Sequence, residues 1–197
     1  MKRILLTSLV VLSLLTPLRA APAPDPSLLL WLPLDEGAGT LAVDRSPHQI
    51  EAELTNVRWV SGAFGAAAHF GGTNAFIDLP PLPSLNGATQ CTISVWAVWE
   101  GTGRYPNLLT SHNWSPGGLM LFVSDNACSF RMGRPGHRAG APGNAWAETS
   151  VSLLSSLPLR QWVHLCVVSA QPNITCYVNG KPVDQGTWPY PIEADGL

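Results

Sequence analysis

Apolar residues along this chain fall in short runs separated by Gly, Pro, Asn and Asp, a spacing that reads as strands and turns. The runs are LLLWLPL at 28–34, the stretch from Ile50 to Trp59, AAAHF at 66–70, AFIDL at 75–79 and CTISVWAVW at 91–99. They continue with NLLTSH at 107–112, GLMLFVSD at 118–125, ACSFRMG at 127–133, TSVSLL at 149–154, QWVHLCVV at 161–168 and ITCYVNG at 174–180. No segment sustains a 3.6-residue apolar period between helix caps. Proline recurs at intervals that would break most helices. The pattern predicts an all-β chain, and so many apolar strands need two packed sheets to bury them. In Cys91–Trp99 the odd positions (Cys91, Ile93, Val95, Ala97, Trp99) form an apolar face that belongs between the sheets. The opposite face carries Thr92, Ser94, Trp96 and Val98. A tryptophan among Ser and Thr is a platform for the apolar face of a sugar ring, unless a neighbouring loop covers it.

Length and composition narrow the class. The 197 residues fit one domain, and 46% hydrophobic residues supply a core. Formal net charge is −2, with no basic cluster of the kind that binds nucleic acid or anionic membranes. Residues 1–20 (MKRILLTSLVVLSLLTPLRA) have a basic start, an apolar stretch too short to span a bilayer, and small residues near Ala20. They read as a cleaved signal peptide. Residues 21–27 (APAPDPS) follow as a Pro-rich linker, and 28–197 as the β-sandwich. The expectation is a secreted, periplasmic or cell-surface protein with no membrane insertion after cleavage. Export makes the four cysteines disulfide candidates. A turn centred on Gln171 would set Cys166 opposite Cys176 and allow a bridge; otherwise both remain small buried thiols. No Cys/His spacing suits zinc.

Several blocks, taken in order, resemble one family. They are Leu32-Pro33-Leu34-Asp35-Glu36-Gly37 with Val43-Asp44-Arg45-Ser46, Gly62-Ala63-Phe64-Gly65, and Phe70-Gly71-Gly72. Ile77-Asp78-Leu79-Pro80, Thr92-Ile93-Ser94-Val95-Trp96-Ala97, and Trp162-Val163-His164 with Tyr177-Val178-Asn179-Gly180-Lys181 complete the set. Together they resemble the laminin-G-like modules of the concanavalin A-like lectin/glucanase superfamily. The resemblance implies a jelly-roll sandwich of two antiparallel sheets. It also implies two further C-terminal strands that would follow the last hairpin, so the chain is expected to lack its closing strands and to expose an apolar sheet edge.

The superfamily holds binding modules and glycoside hydrolases, so carboxylates separate the two. Hydrolases of this branch place acids at alternate strand positions. Here Glu51-Ala52-Glu53 is a close alternating pair, outside the central strand. No Gly-x-Ser-x-Gly elbow is present. The resulting expectation is no catalysis, and an exported module that binds a glycan or takes part in adhesion. The alternatives are a structural or protein-interaction module of a larger cell-surface protein, and a partial glycoside hydrolase. Candidate ligand-binding residues are Trp96 and the loop residues Tyr105, His112, Asn113, Trp114 and Trp146. Trp188 and Tyr190 are further loop aromatics, whereas Trp31, Trp59, Trp99 and Trp162 are assigned to packing. The resemblance carries calcium to Asp44, with Asp35 second; the alternative is that Asp44 caps its own turn.

Overall fold

The computed structural model describes residues 25–72, 74–101, 106–111, 118–124, 127–134, 148–154 and 157–192. Its strands are β1 (Leu41–Val43), β2 (Glu51–Thr55), β3 (Val57–Gly62), β4 (Gly65–Phe70), β5 (Phe76–Asp78), β6 (Gln90–Val98) and β7 (Asn107–Thr110). They continue with β8 (Leu119–Ser124), β9 (Ala127–Gly133), β10 (Glu148–Leu154), β11 (Trp162–Ala170), β12 (Asn173–Val178) and β13 (Lys181–Thr187). Two four-stranded sheets, ordered β10-β9-β8-β7 and β13-β12-β11-β6, form the sandwich. A small sheet β1-β2-β5 and the β3–β4 hairpin flank it. All paired strands run antiparallel. The chain is an all-β sandwich, as its period-two pattern predicts, and a jelly roll, as the resemblance implies.

Alternation builds the core. From one sheet come Val163, Leu165 and Val167 of β11, with Ile174 and Cys176 of β12. From the other come Leu119, Leu121 and Val123 of β8, with Cys128, Phe130 and Met132 of β9. The two layers are not closed alike at their sides. Strand β10 lies against β13 and β12. At the opposite side, the inward residues Cys91, Ile93 and Val95 of β6 are only half-buried.

The run 28–34 departs from its predicted form: it belongs to no sheet among the described residues. Pro33 removes one ladder donor, and Leu34 at φ +57° ends the extended path. Asp44 does the work a neighbouring strand would have done. Its Oδ1 accepts the Trp31 and Ser46 N–H groups at 2.8 Å, and its Oδ2 accepts the Ser46 hydroxyl at 2.7 Å and the Ile50 N–H at 2.8 Å. The Trp31 carbonyl in turn accepts the Arg45 N–H at 2.8 Å. Burial alone would raise the Asp44 pKa, but the hydrogen bonds from Ser46, Trp31 and Ile50 outweigh it and hold the value below the ordinary one.

The cysteine pairing is also corrected. The turn between β11 and β12 consists of Gln171 and Pro172, with Ala170 opposite Asn173. Its centre therefore falls between two residues and not on Gln171. Cys166 then faces Tyr177, and Cys176 faces Val167. This half-residue shift sends Cys166 to the outer face and Cys176 into the core, so the two thiols lie on opposite sides of one sheet. All four cysteines are free thiols.

Two outcomes follow from this packing. Burial, with smaller contributions from nearby acidic groups, pushes the Cys128 and Cys176 thiols up to about 12. Both should stay unreactive to a disulfide reagent at pH 8 until the chain unfolds, whereas the half-exposed Cys166 reacts first; thiol counting in native and denatured protein checks this. Replacing Asp44 by Ala strands four donors, two of them buried, and should cost on the order of 3 kcal/mol in urea denaturation at pH 7. Because the folded Asp44 value is depressed, its stabilisation is full above the ordinary aspartate value of about 3.9 and is lost as pH falls through the lower folded value. Asp44→Asn should accordingly flatten the acid limb of the stability curve.

Candidate ligand-binding site

Strands β6 and β11 pair over nine consecutive positions, from Trp162 opposite Val98 to Ala170 opposite Gln90. This regular register puts every even residue of both strands on the outer face. Trp96 therefore stands directly opposite His164, with Ser94 diagonal to it. The indole and imidazole centroids are 5.2 Å apart at an interplanar angle of 39°. Ser94 Oγ and His164 Nε2 are 2.8 Å apart, a hydrogen bond that fixes the imidazole beside the indole.

The main chain of His164 is held from its other side. Asn179 and Gly180 form the β12–β13 turn at φ +49° and +76°, the left-handed pair that Asn-Gly adopts most readily. From there Asn179 Oδ1 accepts the His164 N–H at 3.0 Å, and the Asn179 N–H donates to the His164 carbonyl at 2.9 Å.

A third ring comes from the β3–β4 hairpin. Its two-residue tip is Ala63-Phe64, between Gly62 and Gly65. A Cβ at Gly62 would collide with the Ala66 carbonyl, and Gly65 has φ +103°, so both positions demand glycine. The tip presents Phe64 edge-on to Trp96, with centroids 5.5 Å apart and planes at 84°. Towards its other end the hairpin is tied to the chain just after β6. Arg58 Nη2 lies 3.1 Å from His69 Nδ1, and His69 Nε2 lies 3.1 Å from Glu100 Oε2. A guanidinium can only donate, so Nδ1 accepts and Nε2 donates its proton to Glu100. Trp59 adds a second tie, its indole N–H donating to the Gly39 carbonyl at 3.0 Å.

Trp96 remains 47% exposed and Phe64 76% exposed. The hairpin tip thus borders the indole without burying it. An open groove lined by Gly37, Trp59, Val60, Ser61, Gly65 and Ala66 runs along the hairpin. The site as a whole is a shallow aromatic platform with a hydroxyl and an imidazole at its margin.

The other sequence candidates fare differently. Tyr105, His112, Asn113, Trp114 and Trp146 lie outside the described residues. Asp35 accepts two hydrogen bonds from the Arg45 guanidinium, at 2.8 and 3.1 Å. Asp44 is the four-donor clip described above, the turn-capping arrangement. Among the described residues no cluster of three His, Cys, Asp or Glu side chains is arranged to hold a metal ion. Of the tryptophans assigned to packing, Trp31 and Trp162 are instead exposed, whereas Trp188, expected as a loop aromatic, is buried in the main core. Phe64 and His164 are the members of the platform that sequence reasoning missed. His164 was detectable, since Val163, Leu165 and Val167 fix its parity. Phe64 was not, because nothing local shows where a hairpin tip lands.

Register also adds a carboxylate to the Glu51/Glu53 pair. Asp78 of β5 stands opposite Glu53 of β2. All three are exposed on one sheet face.

Comparison with known proteins agrees with this architecture. Domain 4 of AbnA, a GH43 extracellular arabinanase from Geobacillus stearothermophilus solved with arabinotriose, superposes with a TM-score of 0.60 at 18% identity, over 78% of this chain and 74% of that one. The binding domain of botulinum neurotoxin serotype C1 gives 0.60 at 14% identity over 83% of this chain, which spans only 40% of the toxin domain. An S-layer domain-containing protein from Clostridium thermocellum gives 0.51 at 20% identity, over 82% of this chain and 74% of that one. No curated protein matches the chain in sequence. Among the described residues no helix is long and apolar enough to cross a membrane. A family model does match, over residues 70–196, which contain most of the strands that build the sandwich and its platform. The chain belongs to the Laminin_G_3 family of the concanavalin A-like lectin/glucanases superfamily.

Proposed function

We propose that this protein is an exported, non-catalytic carbohydrate-binding module that grips a glycan on the outer face of β6 and β11. The observation that carries the reading is Trp96, a half-exposed indole on a rigid strand, flanked edge-on by Phe64 and backed by His164. A pyranose or furanose ring presents C–H groups on one face and hydroxyls around its rim. The indole takes the first by stacking, and Ser94 and His164 stand where they can hydrogen-bond the second. The site sits on paired strands, so binding needs little ordering of the protein. Similar folds support the binding role: one was solved with arabinotriose and another is a toxin's binding domain.

Absence of catalysis rests on the carboxylates. Among the described residues, Glu51, Glu53 and Asp78 share an exposed sheet face with no cleft around it to exclude water. The reading of a structural module that binds only protein fits the fold equally. It leaves the exposed Trp96–Phe64 pair without a purpose.

Arabinotriose is the first probe, followed by an array of plant and bacterial glycans. Trp96→Ala should weaken binding by at least about tenfold while leaving the melting temperature near that of the parent, because the indole lies outside the core. His164→Ala should weaken it less. If every glycan is silent by calorimetry and array, or Trp96→Ala binds like the parent, the reading fails.

A further inference from the structure

Register carries the outer face of β6 and β11 on into β12. Cys166 pairs with Ser94 on one side and with Tyr177 on the other, so the three side chains form one row across the sheet. The neighbouring row on one side holds Trp96 and His164, and on the other Thr92, Val168 and Thr175. Tyr177 therefore shares the outer face with Trp96, two strands over and one row along. Strand spacing and rise put their Cβ atoms roughly 12 Å apart. The floor between them is His164 and Cys166, both half-buried, with the hydroxyls of Ser94 and Thr175 at its sides.

Two properties of this face bear on its ligand. It is regular and open: the ladders of β11 with β6 and with β12 contain no bulge, and none of the outward side chains of the three strands is buried. It is also uncharged. No outward position of Gln90–Val98, Trp162–Ala170 or Asn173–Val178 holds Asp, Glu, Lys or Arg, although a solvated sheet face ordinarily carries them. The nearby charges are placed elsewhere: Arg58 and Glu100 tie the hairpin, and Glu51, Glu53 and Asp78 occupy another sheet.

An anionic glycan is gripped by Arg or Lys and a cationic ligand by carboxylates, and this face offers neither. It offers stacking surface at two separate places, with hydroxyl and imidazole groups between them. That span is longer than one sugar ring, so a single sugar reaches Trp96 or Tyr177 but not both. We propose that the ligand is a neutral, unbranched glycan bound along its length, crossing the strands obliquely from Trp96 over His164 and Cys166 to Tyr177. The inference rests on the glycan reading above and names its substrate class: the interior of a linear chain, in place of a terminal sugar or a charged polysaccharide. The contact at Tyr177 is made by a ligand already held at Trp96, so it raises affinity without a second encounter. Trp162 is another exposed indole on the same face, but its place opposite Val98 lies off that line.

The test is calorimetric titration of the full chain with arabino- and cello-oligosaccharides, from the disaccharide to the hexasaccharide. Affinity should climb by at least about tenfold once the chain reaches both rings, and then level off. Tyr177→Ala should remove that gain and leave disaccharide binding at the parent value, whereas Trp96→Ala should weaken every length. Should the alanine variant not fold, Tyr177→Thr, which removes the ring but keeps strand propensity, carries the same expectation. Trp162→Ala should bind every length like the parent. Added salt should leave the affinity unchanged, because no ion pair is involved, and an oligogalacturonate of equal length should bind no better. The proposal is overturned if affinity is flat with length while Trp96→Ala still weakens it, a result that leaves the glycan reading standing. It is equally overturned if Tyr177→Ala binds long chains like the parent, if Trp162→Ala loses as much, or if the acidic chain binds more tightly. Silence of every oligosaccharide overturns both readings.

Discussion

The burial of one row of side chains, Val163, Leu165 and Val167 of β11 against β8 and β9, governs the rest of the molecule. Fully burying a Val or Leu is worth roughly 1.5–3 kcal/mol, more than an exposed stacking or hydrogen-bonding contact returns. The core therefore sets the phase of the strand, and the outer row has no choice. His164 and Cys166 face outward because their neighbours face inward. The nine-position register with β6 then delivers Trp96 to His164. The platform is a consequence of packing beneath it, which is why it can be flat, exposed and still rigid.

Rigidity also separates gripping from cutting. A site on paired strands holds its rings in place before a ligand arrives, but it lies in the path of water. The acidic side chains that register brings together, Glu53 and Asp78, share that openness. The superfamily's two habits, binding and hydrolysis, thus part at solvent exposure as much as at residue identity.

Much of this was legible in the residues. Alternation in Cys91–Trp99 predicts which face meets the core and which carries Trp96, because period two is a local property. Registers are less local. A turn of Gln171 and Pro172, in place of one centred on Gln171, was enough to part Cys166 from Cys176. The run 28–34 has the composition of a strand, but Trp31 is held by a carboxylate and one backbone N–H from the loop that follows β1, and no apolar pattern announces a clip of that kind. Phe64 reaches Trp96 across more than thirty positions of chain, through a hairpin whose orientation depends on the Arg58–His69–Glu100 tie. Contacts of that reach belong to tertiary packing. Asp44 shows the converse case: resemblance pointed to a cation, whereas the donors around it are those of a capped turn.

That clip has a mechanical side. A pull applied upstream of Asp25 would first reach the Leu29 carbonyl, which accepts the Ser46 hydroxyl at 3.3 Å, and then Trp31, whose N–H and carbonyl are fastened at Asp44 and Arg45. The same carboxylate is bonded to Ser46 and Ile50, so the load divides at once among several points of one loop instead of unzipping a strand bond by bond. Under such a load the sandwich would be shielded from tension by a single buried aspartate.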